Sequence, residues 1–244
     1  PQSHDKVRQG TLGAAYVAQW QGIGEISAGL QKSFYRRTVN QPGLPLAVSR
    51  NSPWLYNGTF AAYLSSDLTF YASYTRGLEE SGIAPANASN PGEALPASLT
   101  KQLDAGVRYK LAPGMTLVAG VFEVAKPYFD RDVTNLFTRV GSLRHRGIEL
   151  SLSGKPLSGL TVVAGTALLQ ARVSGSTVDQ GLIGDVPPGR APALIRLNAN
   201  YAPAAWHGFS VNAQVNFEDS QYANRINTLR IPSATVLDIG ARYD

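Results

Sequence analysis

Apolar and polar residues alternate with a period of two along most of this chain. Phe209, Val211, Ala213, Val215 and Phe217 are apolar, and Ser210, Asn212, Gln214 and Asn216 between them are polar. A strand sends these two sets to opposite faces. Leu103, Ala105, Val107, Tyr109 and Leu111 alternate with polar neighbours in the same way, as do Ile148, Leu150 and Leu152, and Leu237, Ile239, Ala241 and Tyr243. Helical periodicity is almost absent. The pattern predicts about eleven strands, near 11–20, 24–38, 54–64, 67–77, 98–111, 115–125, 137–154, 159–172, 190–202, 207–218 and 231–243. Most reach the roughly 9–11 residues that a tilted strand needs to cross a bilayer.

The connections sort by length. Short ones fall at 21–24, 65–67, 112–114, 155–159 and 202–207, and long ones between them near 39–53, 78–97, 126–136, 173–189 and 219–230. An up-and-down membrane barrel has this arrangement, with short periplasmic turns and longer extracellular loops. A Greek-key sandwich has no reason to sort its loops. With the short turns periplasmic, Trp20, Phe70, Tyr109, Tyr201, Phe209 and Tyr243 lie near the periplasmic strand ends, as an interfacial aromatic girdle would. The expected fold is all-β: an antiparallel, up-and-down transmembrane β-barrel wall. Val107, Ile148, Leu150, Leu152, Val211 and Val215 are expected to face lipid.

Composition narrows the chemistry. The 244 residues include no Cys, which excludes disulfides, thiolate metal sites and a cysteine nucleophile. The three histidines, His4, His145 and His207, lie far apart, His4 in a terminal tail and His207 in a periplasmic turn. No metal motif and no nucleophile elbow occurs, so neither an enzyme nor a cofactor is expected. The net charge is +5 without any Lys/Arg-rich run, so nucleic acid is not an expected partner. No apolar run reaches the roughly 18 residues of a membrane helix. Pro1 to Lys6 lack a signal-peptide core, and the barrel pattern leads to the expectation that the true N-terminus lies upstream.

Four segments resemble one family in order. Tyr71-Ala-Ser-Tyr-Thr-Arg-Gly77, Ser98 to Tyr109, Arg144-His-Arg-Gly-Ile-Glu-Leu150 and Ile231 to Tyr243 are similar to successive strands of TonB-dependent outer-membrane receptors. The resemblance covers about residues 54–244, and 1–53 follow by pattern only. It implies a 22-stranded barrel around an N-terminal plug, located in the outer membrane of a Gram-negative bacterium. It implies that residues 1–244 are one partial barrel domain of about 11 strands, with the plug, the first nine strands and the last hairpin absent. It implies contact with TonB only through that missing plug.

The arginines add a candidate site. Arg50, Arg131, Arg190, Arg225 and Arg230 lie in or beside the long loops. Arg36, Arg37, Arg76, Arg139, Arg144 and Arg146 lie toward the same strand ends, with Trp54, Tyr56, Tyr128 and Tyr222. Planar guanidinium groups and aromatic rings suit an anionic ferric chelate. The resemblance implies a ferric siderophore as cargo. The expected contacts are Arg144 and Arg146 first, at the lumen mouth, then Arg76, Trp54, Tyr56, Tyr128, Arg131, Arg190, Tyr222 and Arg225. The competing reading for these arginines is anchoring to outer-membrane lipid and anionic lipopolysaccharide, and for Arg144 and Arg146 a structural ion pair with Glu149 or with an acid of a neighbouring strand. The competing readings for the protein are the same receptor type carrying a vitamin, haem or a glycan, a passive porin, and a soluble β-sandwich binding module.

Overall fold

The computed structural model describes residues 3–243. In chain order its strands are β1 (His4–Trp20), β2 (Gly24–Asn40), β3 (Ala47–Asn51), β4 (Trp54–Tyr63), β5 (Leu68–Glu79), β6 (Ser98–Ala112), β7 (Met115–Arg131), β8 (Phe137–Leu157), β9 (Leu160–Ser174), β10 (Ala193–Tyr201), β11 (Phe209–Glu218), β12 (Gln221–Tyr222), β13 (Arg230–Ile231) and β14 (Ala234–Tyr243). All but β3, β12 and β13 form one up-and-down antiparallel sheet, each pairing with its neighbours along the chain, with β1 and β14 at the two edges. These are the eleven strands that alternation predicts.

The differences have local causes. β1 begins at His4, not at 11, and pairs with β2 without a break from His4 opposite Asn40 to Trp20 opposite Gly24. His4 therefore opens a strand instead of lying in a tail. Residues 4–10 stand above the apolar part of the wall, where no alternation marks them; backbone pairing holds them, with Asp5 bound by Arg37 and Gln9 donating to Ser33 Oγ at 3.1 Å. β3 emerges from the expected loop at 39–53 and shares a lane with β4. β4 pairs with residues 24–32 of β2, and β3 continues against 35–39. Pro53 interrupts the lane because it has no N–H to donate, although its carbonyl still accepts from Ser33 N at 3.1 Å. β7 and β8 also run through most of 126–136, leaving a tight turn at 132–136. There the Asp132 carboxylate accepts from Thr134 N at 2.8 Å, Thr134 Oγ1 at 2.7 Å and Leu136 N at 3.0 Å. Strand height rather than loop length marks this end of the wall at that hairpin.

Directly opposed residues of antiparallel strands share a face. The registers carry that rule across the sheet. Ala62, Phe70, Val107, Ala119, Leu150, Thr166, Ile195, Phe217 and Thr235 are successive partners in one row. Leu68, Tyr109, Leu117, Leu152, Ala164, Leu197, Val215 and Leu237 form the next. Ile148 and Val211 take the same face, and Glu149 takes the other. This apolar face is bare: Ile148 is 54% exposed and Ile239 is 76% exposed. So wide an apolar surface exceeds what a water-soluble monomer shows and suits contact with lipid. Trp20, Phe70, Tyr109, Tyr201, Phe209 and Tyr243 all stand on it toward the short turns. Trp206, in the turn after β10, meets the Tyr201 ring edge-on at 5.1 Å and the Phe209 ring at 5.5 Å.

The buried residues lie on the opposite, polar face, at the end where the loops are. Val140, Leu143, Val173 and Ile183 make a small core with Tyr128 and Val178. A helical turn, α1 (Ser176–Asp179), supplies Val178. Tyr35, Val39 and Leu55 are buried on the polar face of β2 and β4. The loops thus fold over the polar face and leave the apolar face uncovered.

Candidate functional site

Four loops and the strand ends beneath them form one hydrogen-bonded cap over the polar face. Loop 80–97 is tied down first. Arg37, buried on β2, forks onto Asp5 with Nε to Oδ1 at 3.0 Å and Nη2 to Oδ2 at 2.5 Å. It also reaches Glu80 at 2.8 Å and the Ser81 carbonyl at 2.6 Å. Asn51 of β3 donates to the Ala97 carbonyl at 2.7 Å. The same loop grips the hairpin at 132–136: Asn90 accepts from Phe137 N at 2.9 Å and donates to its carbonyl at 3.0 Å, and Asn135 donates to the Asn87 carbonyl at 2.7 Å.

The second half of the cap joins loops 175–192 and 219–229. Asn227 accepts from Val186 N at 3.0 Å and donates to the Val186 carbonyl at 2.7 Å. Gly184 N and Gly189 N reach the carbonyls of Arg225 and Tyr222, at 2.8 and 2.9 Å. Arg225 pairs with Asp130 of β7 at 2.6 Å, and Asp130 is 14% exposed at its side chain.

Beneath the cap, between the charged groups at Asp5, Arg37 and Glu79 and Glu25 near the short turns, the polar face of β1, β2, β4 and β5 carries uncharged amides and hydroxyls. Gln9, Gln31, Asn57 and Thr75 line a concavity of about 640 Å³ there. Gly29 has no side chain to fill the space, and Asn57 Oδ1 would stand 2.4 Å from a Cβ added to it. Such a surface recognises by hydrogen bonds from amides and a hydroxyl.

The ten expected contact residues divide between the two faces. Arg144 and Arg146 do not look into the lumen. They are four and two residues from Ile148 on β8, so the period of the strand sends them to the apolar face. Glu123 stands there too, opposite Arg146, and accepts from Arg146 Nε at 2.6 Å and lies 3.4 Å from Arg144 Nε. Arg76, Trp54 and Tyr56 share that face. The Arg76 guanidinium lies 5.6 Å from the Tyr56 ring centre, Tyr56 stacks on Tyr74 at 5.9 Å, and Lys32 Nζ sits 5.3 Å from Trp54. Arg131 ends β7 and donates to Asn135 Oδ1 at 3.4 Å. The other four belong to the cap. Tyr128 packs in its core, Arg225 pairs with Asp130, Tyr222 lies under the Arg230 guanidinium at 5.3 Å, and Arg190 donates to the Gly189 carbonyl at 3.2 Å.

Charge therefore separates differently from the expected electropositive vestibule. On the polar side Arg37, Arg225 and Lys126 are matched by carboxylates, the last by Glu79 at 2.6 Å. Gln9, Gln31, Asn57 and Thr75 carry no charge or ring and belong to no motif. The signal that marks Gln31, Asn57 and Thr75 is their odd position in strands whose even positions are mostly apolar, while Gln9 lies in the stretch without alternation.

The TonB dependent receptor-like β-barrel family model matches residues 6–244. The ferrichrome receptor FcuA of Yersinia enterocolitica is 32% identical over 146 residues, which is 59% of this chain and 19% of that protein. The ferrioxamine receptor of the same organism is 26% identical over 187 residues, 73% of this chain and 24% of that protein. The crystal structure of BauA, the ferric preacinetobactin receptor of Acinetobacter baumannii, superposes with a TM-score of 0.80 at 28% identity, over 99% of this chain and 37% of that one. The chain thus spans a quarter or less of the curated relatives it matches.

Proposed function

Because the chain belongs to the TonB-dependent receptor β-barrel family, we propose that its full-length protein is an outer-membrane receptor importing a ferric siderophore. The observation that carries this reading is the loop cap, built over a polar lumen face in a wall whose other face is apolar. Two relatives are receptors for ferrichrome and ferrioxamine, and these support the siderophore class. The protein is located in the outer membrane of a Gram-negative bacterium, with lipid and lipopolysaccharide around the wall. Neither these strands nor their loops are assigned to TonB, whose contact falls to the plug.

The cargo enters from the loop end. Tyr128, Arg190, Tyr222 and Arg225 of the cap are its candidate contacts, and Gln9, Gln31, Asn57 and Thr75 form the wall below. With Arg37, Arg225 and Lys126 paired to carboxylates, this wall favours a ligand held by hydrogen bonds over one held by net charge. The outward-facing Arg144, Arg146, Arg76, Trp54, Tyr56 and Arg131 are assigned to the membrane side.

The test is binding to the full-length receptor, with iron-loaded and iron-free siderophores, a neutral glycan and cobalamin compared. Tight binding of a ferric siderophore and weak binding of its iron-free form is the expected result. Binding only to the glycan or cobalamin overturns the cargo and leaves the barrel standing.

A further inference from the structure

The hollow below the cap owes its room to glycine. Gly13 opposes Gln31, and Gly29 opposes Asn57, across β1, β2 and β4. A Cβ added at Gly29 would collide with Asn57 Oδ1, and one added at Gly13 would stand 2.8 Å from the Gln31 Cβ. The two amide side chains lie in the space that larger neighbours would take. Asn57 opposes Thr75, and Thr75 opposes Gln102, so three uncharged polar groups stand in one row. Gln31, Asn57 and Thr75 are exposed to the lumen and make no side-chain hydrogen bond among the described residues. Their donors and acceptors are open to a ligand.

The charge around this hollow is acidic. Asp5, Glu25, Glu79 and Asp104 stand on the polar face of β1 to β6. Among the described residues no cation stands on that face between Arg37, toward the loops, and Arg108, toward the short turns. Arg37 lies six residues along β2 from Gln31, about 20 Å away at the rise of a strand, and its guanidinium is held by Asp5 and Glu80. Glu79 is matched by Lys126 of β7. Asp104, one row below Gln102, is met by uncharged donors: Ser73 Oγ at 3.0 Å and Gln102 Nε2 at 3.0 Å. It keeps its negative charge beside the row of amides.

This electrostatic setting separates two kinds of ferric chelate. Iron(III) held by three monoanionic bidentate groups, as in a trihydroxamate, carries no net charge. Held by three dianionic catecholates, the same ion becomes a trianion. A trianion in the hollow would face Asp104 with no cation beside it, and juxtaposed like charges are how a binding surface rejects a partner. An uncharged trihydroxamate meets no such repulsion. Its amide N–H and carbonyl groups pair in both directions with Gln and Asn side chains.

We propose that the hollow under the cap selects an uncharged ferric chelate of the trihydroxamate type, hydrogen-bonded by Gln31, Asn57 and Thr75, and rejects trianionic tris-catecholates. The inference deepens the siderophore reading above and rests on it.

The experiment titrates the full-length receptor in detergent with ferrichrome, an uncharged ferric trihydroxamate, and with ferric enterobactin, a trianionic tris-catecholate. Cobalamin and a neutral glycan are run beside them. Folding of each variant is checked first by its heat-modifiable electrophoretic mobility. The trihydroxamate is expected to bind about tenfold or more tightly than the tris-catecholate. Its affinity is expected to hold steady as salt is raised about tenfold, because a neutral ligand has no charge to screen. Gln31→Ala with Asn57→Ala is expected to weaken the trihydroxamate by about tenfold, two hydrogen bonds being of that size. Asn57→Ala alone carries the test if the double variant does not fold, with a smaller loss in the same direction. Equal or tighter binding of the tris-catecholate, or unchanged trihydroxamate affinity in the folded variants, overturns this inference and leaves the siderophore reading standing. Binding of cobalamin or the glycan alone removes both.

Discussion

Arg146 and Glu123 meet at 2.6 Å on the face of the wall that is otherwise given to Ile148, Leu150 and Val121. An ion pair on a lipid-side surface marks depth, since at the centre of the bilayer two charges would lose too much hydration. The pair lies one row toward the short turns from Arg76, Lys101 and Arg144, so the apolar band begins just below it.

Leu150 is placed well inside that band. Leu150→Arg is expected to destabilise the full barrel by about 2–4 kcal/mol, and Phe209→Arg, near the short-turn rim, by about 1 kcal/mol or less. Urea unfolding of the receptor in lipid vesicles compares them. Equal costs at the two positions would remove the depth assignment.

Glu123→Gln is expected to leave stability almost unchanged. Both partners are well exposed, with Arg146 at 56% and Glu123 at 35% of side-chain accessibility, and exposed pairs contribute little. The same urea series reads this, and a large loss would mean that the pair is shielded from water.

Arg37→Met removes the buried fork that holds loop 80–97 to β1 and β2. The cost is expected at about 1–3 kcal/mol, because Asp5, Glu80 and the Ser81 carbonyl lose a charged donor while water reaches the half-exposed acids. Limited proteolysis is the measurement: cleavage within 80–97 should accelerate while cleavage at 21–23 should not.

The turn at 132–136 gives a pH dependence. The Thr134 hydroxyl hydrogen bond, followed by the Leu136 and Thr134 amides, holds the Asp132 carboxyl below the usual aspartate range. A carboxylate with a lowered folded value stabilises fully above its unfolded value, about 3.9, and loses that contribution as the pH falls through the folded value. Amide exchange protection at Thr134 and Leu136 should therefore be constant from about pH 7 to 5 and drop below about 4. In Asp132→Ala it should be low throughout.

The wall was legible in the sequence because lipid and lumen impose a period of two on every strand that crosses. Val211, Val215 and Leu150 were placed by that rule alone. Residues 4–10 and β3 escaped it, since above the membrane both faces meet water or loops and no alternation is required. The site was read less well for a related reason. Arg144 and Arg146 were grouped by height along the chain, as residues near long loops, although their even spacing from Ile148 already assigned them a face. Asn57 and Gln31 were missed because uncharged amides carry no signal apart from parity. The cap was beyond reach: the Asn227 contact with Val186 and the Asn90 contact with Phe137 join segments 41 and 47 residues apart.

Three irregularities interrupt the pairing, between Lys110 and Ala112, between Tyr128 and Phe129, and between Gly154 and Leu157. All three lie at the ends of strands. A bulge absorbs one extra residue, whereas a one-residue slip turns every following side chain to the other face. The heritable length changes this wall can accept are therefore of two kinds. At the rims and in the loops an insertion or deletion of any size can be taken up. Through the middle of each strand an odd one would send lumen amides into lipid and leucines into the channel, so only paired additions preserve the inside and the outside.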